Sequence, residues 1–241
     1  MKQYQQVIEV MEKNKGFATL GYLNQNVNVA NWKTKTPFAT IRRIVQDRNE
    51  IFKIKPGLWA LVSYKNKLPY NIYQDKSINK KEKEAFNHSY YQGLLVEIGN
   101  IKNSETFVPY QDKNKMYLAS KLSDIVTVKK FYNFSYPELI RYAITIDVVW
   151  FNDRKMPSDF FEIEHSTDIK NSLSKFVELQ DFYSKFHIVA NIARKQEFID
   201  KINMTSFKDI RGRVKFLDYD NLSSIHSKTY ELFNLNKGYE L

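Results

Sequence analysis

No cysteine occurs in the 241 residues, which excludes a disulfide scaffold, a thiol nucleophile and a thiolate zinc centre. Glycine and proline are scarce, 7 and 6, so the chain is neither collagen-like nor dominated by linkers. No apolar run reaches the length of a transmembrane helix, and Met1–Gly16 lacks the apolar stretch of a signal peptide. The expectation is a cytoplasmic chain with no membrane partner. What the sequence does hold is apolar bulk, 43% of residues with 15% aromatic, enough to bury a core. It also carries a net charge of +10, which points toward a polyanionic partner.

That charge is unevenly placed. Residues 1–69 hold 12 Lys and Arg against 4 Asp and Glu, net +8, while residues 70–241 hold 25 against 23. The asymmetry predicts a basic module at 1–66, a polar linker at 67–83 and a near-neutral module at 84–241.

In the basic module Tyr4, Val7, Ile8 and Met11 form a helical apolar stripe ended by Gly16, and Ala18–Leu23 reads as a short second helix. Thr36-Pro37 reads as the N-cap and first residue of a third helix, with Phe38, Ile41, Ile44 and Val45 facing inward. Ile51–Ile54 and Leu58–Leu61 flank a Pro56-Gly57 turn and read as a hairpin. Three helices and a hairpin make a winged helix-turn-helix, whose last helix enters the major groove of DNA. The candidate DNA-contacting residues are Lys33, Lys35, Thr36, Thr40, Arg42, Arg43 and Gln46, with Lys53 and Lys55 from the wing. The competing reading of the basic side chains is a solvated helix face.

The stretches Ala18–Leu23, Trp32, Thr36–Ile41 and Phe52 through Pro56-Gly57-Leu58-Trp59-Ala60-Leu61 resemble the HARE-HTH family of winged helices. The resemblance covers about residues 1–63. It implies a DNA-docking module of the kind found on chromatin proteins and some restriction endonucleases.

The near-neutral module opens with a helix over Lys81–Gly99. Ala143–Phe151 is apolar and β-branched apart from Asp147 and reads as a buried strand; Phe160–His165 reads as the next. A turn near residue 155 sets Asp147 opposite Glu162–Glu164, and alternation puts both glutamates on one face. Three gathered carboxylates repel one another unless a cation intervenes. Oxygen-only ligation suits Mg2+, with Mn2+ as a substitute. The competing reading is a surface acidic hairpin. His88 and Gln92 fall at i, i+4 with no evident third partner, and His165 points away from the glutamates.

Asp-x14-Glu-x-Glu on consecutive strands is the layout of the PD-(D/E)xK nucleases. The segments 92–99, 108–109, 146–150 and Phe161-Glu162-Ile163-Glu164-His165-Ser166 resemble one group of restriction-endonuclease-like proteins, over roughly residues 84–217. The resemblance implies an α+β or α/β core with a mixed sheet. It makes Asp147 and Glu162 the metal-binding acids and Glu97 a supporting acid of the first helix. Glu164 falls where most members place lysine, and so would serve as base or as ligand to a second ion. In these relatives an amphipathic helix follows, here capped within Ser166–Asp168, with Ile169, Leu173, Phe176 and Val177 on one side.

The function expected is that of a type II restriction endonuclease hydrolysing double-stranded DNA with Mg2+, as a homodimer beside a separate cognate DNA methyltransferase. The alternatives are a DNA-binding regulator with an inactive nuclease-like dimerisation domain, and a structure-selective repair nuclease.

Overall fold

The computed structural model describes residues 1–73 and 79–239. Part of the expected linker, residues 74–78, lies outside the described residues. The chain divides into two compact units, Met1–Asn79 with Ser223–Leu241, and Lys80–Leu222.

In the first unit α1 (Gln3–Lys13) buries Val7 and Met11 completely. Lys15 and Gly16 then turn the chain through positive φ, 62° and 85°. A Cβ on Gly16 would also meet the Tyr64 ring at 2.2 Å, so that turn takes only glycine. Ala18 does not begin a helix, as the sequence suggested. It lies in β1 (Phe17–Thr19), which pairs with β3 (Leu58–Leu61), Phe17 opposite Ala60. The helix α2 (Leu20–Asn26) starts one step later, where the Thr19 hydroxyl accepts from Tyr22 N.

Helix α3 (Pro37–Asp47) starts at Pro37 after Thr36 and buries Phe38, Ile41, Ile44 and Val45. The Thr36 side chain makes no cap bond; its carbonyl accepts from both the Thr40 amide and the Thr40 hydroxyl. Thr40 is therefore buried and cannot present itself to a partner, which corrects its place among the outward residues. Arg43 and Gln46 are exposed on α3, as are Lys33, Lys35, Thr36 and Lys53, whereas Arg42 and Lys55 are half-buried. The hairpin of β2 (Ile51–Lys55) and β3 turns at Pro56-Gly57, where Gly57 takes φ 77°. The three-stranded sheet runs β1-β3-β2.

The second unit opens with α4 (Lys80–Ile101). After it come β4 (Glu105–Phe107), β5 (Met116–Tyr117), β6 (Ser120–Lys121), α5 (Leu122–Ile125) and α6 (Pro137–Ala143). Next are β7 (Val148–Phe151), β8 (Pro157–Glu164), α7 (Ile169–Glu178), β9 (Lys185–Ala190), α8 (Lys195–Ile202) and β10 (Val214–Asp218). The five-stranded sheet is ordered β10-β9-β8-β7-β4. It is mixed: β7 is antiparallel to both neighbours, while β8, β9 and β10 run parallel through the crossovers α7 and α8. Because β8 is central, Phe160, Phe161 and Ile163 are all buried, and Glu162 and Glu164 are carried into the interior at its C-terminal end, each 4% exposed.

The strand expected over Ala143–Phe151 is shorter than its apolar run. Pro137 at the first helical position starts α6, which consumes Ala143, and turn hydrogen bonds occupy Ile144 to Ile146. Ala143 and Ile146 pack into the core from this turn, so Asp147 stands at the entrance to β7 and does not interrupt it.

The final helix α9 (Tyr219–Tyr239) changes unit along its length. Tyr219 stacks on Tyr91 at 3.9 Å within the second unit. From Ser223 onward the helix groups with the first unit, where Ser223 Oγ donates to Pro56 O and Asn234 Nδ2 to Asn24 O. Among the described residues no helix is long and apolar enough to cross a membrane.

Gly93 sets how closely α4 approaches β5, since a Cβ there would lie 2.0 Å from the Tyr117 ring. Gly93→Ala is expected to cost about 1–3 kcal/mol in urea unfolding. Gly212→Ala, with nothing within 4 Å, should stay within about 0.5 kcal/mol; equal effects would remove this role for Gly93.

Candidate active site

A cavity of about 380 Å³ in the second unit is lined by side chains from α4, β8 and α7 together with Asp147 and Lys115. Its floor is the divergence of β7 and β8. Val148 pairs with Phe161, and one residue further out the ladder gives way to a side chain: Asp147 Oδ2 accepts from Ile163 N at 2.7 Å. Asp147 Oδ1 lies 3.2 Å from His88 Nε2 on α4.

Glu162 and Glu164 emerge beside it on β8, and the helix crossing behind them supplies their partners. Asp168 caps α7 by accepting from Lys170 N. With Ile169, Leu173 and Phe176 buried on the core side, Ser172 and Lys175 at i, i+3 face the glutamates. Lys175 Nζ donates to both Glu162 oxygens, 2.8 and 3.0 Å. The Ser172 hydroxyl reaches Glu162 Oε2 at 2.9 Å and also Glu164 Oε1. Glu164 further accepts from the Thr167 hydroxyl, and Arg194 Nη1 stands 3.9 Å from Glu164 Oε2.

One hydroxyl proton cannot serve two carboxylate oxygens, so a further proton or a cation belongs between Glu162 and Glu164. The titration of the group agrees. Burial pushes Glu162 up, and the charge of Asp147 adds to it, to about 8 against the pull of Lys175 and Ser172. Burial also acts on Asp147, but the charge and hydrogen bond of His88 and the Ile163 N–H outweigh it and hold that carboxyl below its ordinary range. His88 is the counterpart. Burial disfavours its charge, yet Asp147 and then Asp112 raise it above the ordinary imidazole value.

The predicted acids are thus only partly assembled. Asp147, Glu162 and Glu164 line one cavity. Glu97 does not join them: it is half-buried and accepts from the Tyr117 hydroxyl at 2.9 Å. Asp112 was not anticipated. It is 2% exposed, accepts from Gln92 Nε2 at 2.8 Å and has Lys115 Nζ 2.5 Å from its Oδ1. His88 and Gln92, which lacked a third partner in the sequence, find two in Asp112 and Asp147. Lys175 was missed as well, although its i, i+3 relation to Ser172 on the helix directly after β8 was legible.

Residues 67–238 match the family described as the Type II restriction enzyme NmeDI C-terminal domain. The chain belongs to that family. It is also 22% identical over 151 residues to the Type II restriction enzyme NmeDI of Neisseria meningitidis serogroup C, a match covering 58% of this chain and 42% of that protein. The chain therefore aligns with less than half the length of this relative. No solved structure matches.

For a member of this family the donor set can be tested against a hard divalent cation. Asp147 and Glu162 offer only oxygens, and Glu162 is held in a place that favours its proton over its charge. A cation there would replace that proton and relieve the repulsion from Asp147, so the residues fit such an ion.

With its folded value above the ordinary value near 4.5, Glu162 leaves stability intact at low pH and removes it as pH rises through about 8. In metal-free buffer the parent should lose on the order of a few kcal/mol relative to Glu162→Gln between about pH 5 and 8.5. Parallel unfolding profiles for the two proteins across that window would refute the assignment.

Proposed function

We propose that this chain is a metal-dependent endodeoxyribonuclease of the type II restriction class, hydrolysing duplex DNA at a specific sequence through a PD-(D/E)xK-type site. The observation that carries the reading is the convergence of Asp147, Glu162 and Lys175 in one cavity, in a chain whose family is that of a type II restriction enzyme. Asp147 and Glu162 would hold Mg2+ or Mn2+, which when bound acidifies water and neutralises charge at the phosphate.

The chain's own residues divide the remaining work. Ile163 N–H and His88 hold Asp147 in a fixed orientation. Lys175 hydrogen-bonds both Glu162 oxygens, and beside a cation-bound Glu162 its ammonium would be available to a phosphate oxygen. Glu164, oriented by Ser172 and Thr167, would accept a proton or position water. The lysine that relatives carry on the strand is here supplied from the following helix.

The reading module, residues 1–66 as a HARE-HTH-type winged helix, would dock on DNA through Arg43, Gln46 and Lys53, with the cutting module beginning at residue 84. Double-strand cleavage by one site per chain calls for a homodimer, and a separate methyltransferase would protect the host sequence. The regulator reading draws on one observation, that each acid in the cavity already has a partner in the protein.

Cleavage of mixed-sequence plasmid decides between them. Mg2+ should be required, Asp147→Ala should lower the rate at least about a hundred-fold, and Lys175→Met by about a hundred-fold or more. Undiminished cutting by Asp147→Ala would sink the site, cutting by neither parent nor variant would favour the regulator, and equal rates on randomised duplexes would favour a repair nuclease. Binding to duplex DNA should weaken with salt, and Arg43→Ala should reduce the log–log slope by about 1; an unchanged slope would exclude Arg43 from the phosphate contacts.

A further inference from the structure

We propose a second divalent-cation site in this cavity, of mixed nitrogen and oxygen donors: His88 Nε2, Asp112 Oδ2 and Asp147 Oδ1. It rests on the nuclease reading only in sharing Asp147 with the acid pair, and it takes a borderline transition ion such as Mn2+ in preference to Mg2+.

The geometry is that of ligands around an ion. His88 Nε2 lies 3.2 Å from Asp147 Oδ1 and 3.8 Å from Asp112 Oδ2, and the donor atoms of all three residues fall within 4.8 Å of one another. Donors about 2.1 Å from a shared cation lie about 3–4 Å apart, the range of both separations from His88. Among the described residues this is the one His/Asp/Glu trio drawn so close; Asp147, Glu162 and Glu164 are not. His88 and Asp147 remain 19% and 16% exposed at their side chains, which leaves the cluster open to the cavity.

Neighbouring side chains orient the trio. Lys115 occupies Asp112 Oδ1 and leaves Oδ2 turned to His88. Gln92 is fully buried and aimed into the cluster, its Nε2 donating to Asp112 Oδ2 and to the backbone carbonyl of Asp147. Its Oε1 has no hydrogen-bond partner among the described residues. A buried amide that leaves its acceptor unsatisfied in order to orient two ligand-bearing groups is the arrangement expected of outer-shell support.

The chemistry selects the ion. Two carboxylates and a neutral imidazole match a divalent charge, and the imidazole discriminates. Mg2+ favours oxygen and water, whereas Mn2+ and the later first-row ions accept nitrogen with rising affinity. Asp147, with Oδ1 toward His88 and Oδ2 toward β8, would bridge the two positions.

The test is titration of Mn2+ alone into the full chain without DNA, with free Mn2+ followed by electron paramagnetic resonance. The parent should bind about two ions, one of them retained in excess Mg2+ and showing nitrogen modulation in its electron spin echo spectrum. His88→Ala and Asp112→Asn should each weaken that ion at least about tenfold, and His88→Ala should abolish the nitrogen signal, whereas Glu162→Gln should leave both features. Titration of both His88→Ala and Asp112→Asn like the parent, or absence of nitrogen modulation from the parent, overturns the proposal. If the acid-pair reading fails instead, the parent binds a single ion that responds to His88→Ala and not to Glu162→Gln.

Discussion

Asp112, Asp147, Glu162 and Glu164 are crowded at the C-terminal end of β8 and the entrance to β7, and what surrounds them limits their mutual repulsion. Two like charges about 4 Å apart repel by roughly 4 kcal/mol at the effective dielectric of a protein surface, and by more inside. The structure answers with one basic group near each: Lys115 at Asp112, His88 at Asp147, Lys175 at Glu162 and Arg194 near Glu164. These come from α4, α7 and the segments just before β5 and α8, so packing α4 and α7 against the sheet is inseparable from making the acids tolerable. Removing one partner from a buried ion pair is a costlier change than never having the pair.

The balance is incomplete at one place, the interval between Glu162 and Glu164, where Ser172 offers one hydrogen to two carboxyls. The proton that Glu162 retains up to about pH 8 fills the gap in the metal-free protein. A fold that keeps an acid protonated near neutrality gives up stability as pH rises, and a group kept under that strain without a structural return is the usual mark of a functional position.

Much of this was legible in the sequence, and the remainder was hidden for definable reasons. β8 and α7 could be read because an uninterrupted apolar strand with alternating acids and a capped 3.6-residue stripe are local patterns, as were the Pro56-Gly57 hairpin and the buried face of α3. The run Ala143–Ile146 misled because burial in a turn and burial in a strand favour the same side chains, and Pro137 was the overlooked cue. Thr40 looked outward by helical spacing, yet its hydroxyl could bond back to Thr36, which spacing does not express. Asp112 lies in an irregular loop, and Gln92 meets it across 20 residues of chain, beyond the reach of any periodicity. The assignment of α9 from Ser223 to the first unit depends on contacts such as Asn234 with Asn24, separated by 210 positions.

Lys175 shows where a motif reading fails and a physical one does not. In the PD-(D/E)xK-type reading proposed for this site, a strand lysine is sought at the position of Glu164 to place a cation near the acids, but that requirement fixes a point in space and not in sequence. Asp168 fixes where α7 begins, and the inward turn of Ile169, Leu173 and Phe176 sets its rotation, so that Ser172 and Lys175 are delivered to that point. The same rotation frees position 164 from carrying the cation. An acid can then stand there, held by hydroxyls from Thr167 and Ser172, and the cavity gains a carboxylate without losing its lysine. Under the nuclease proposal, a lysine delivered by α7 leaves position 164 open to an acid.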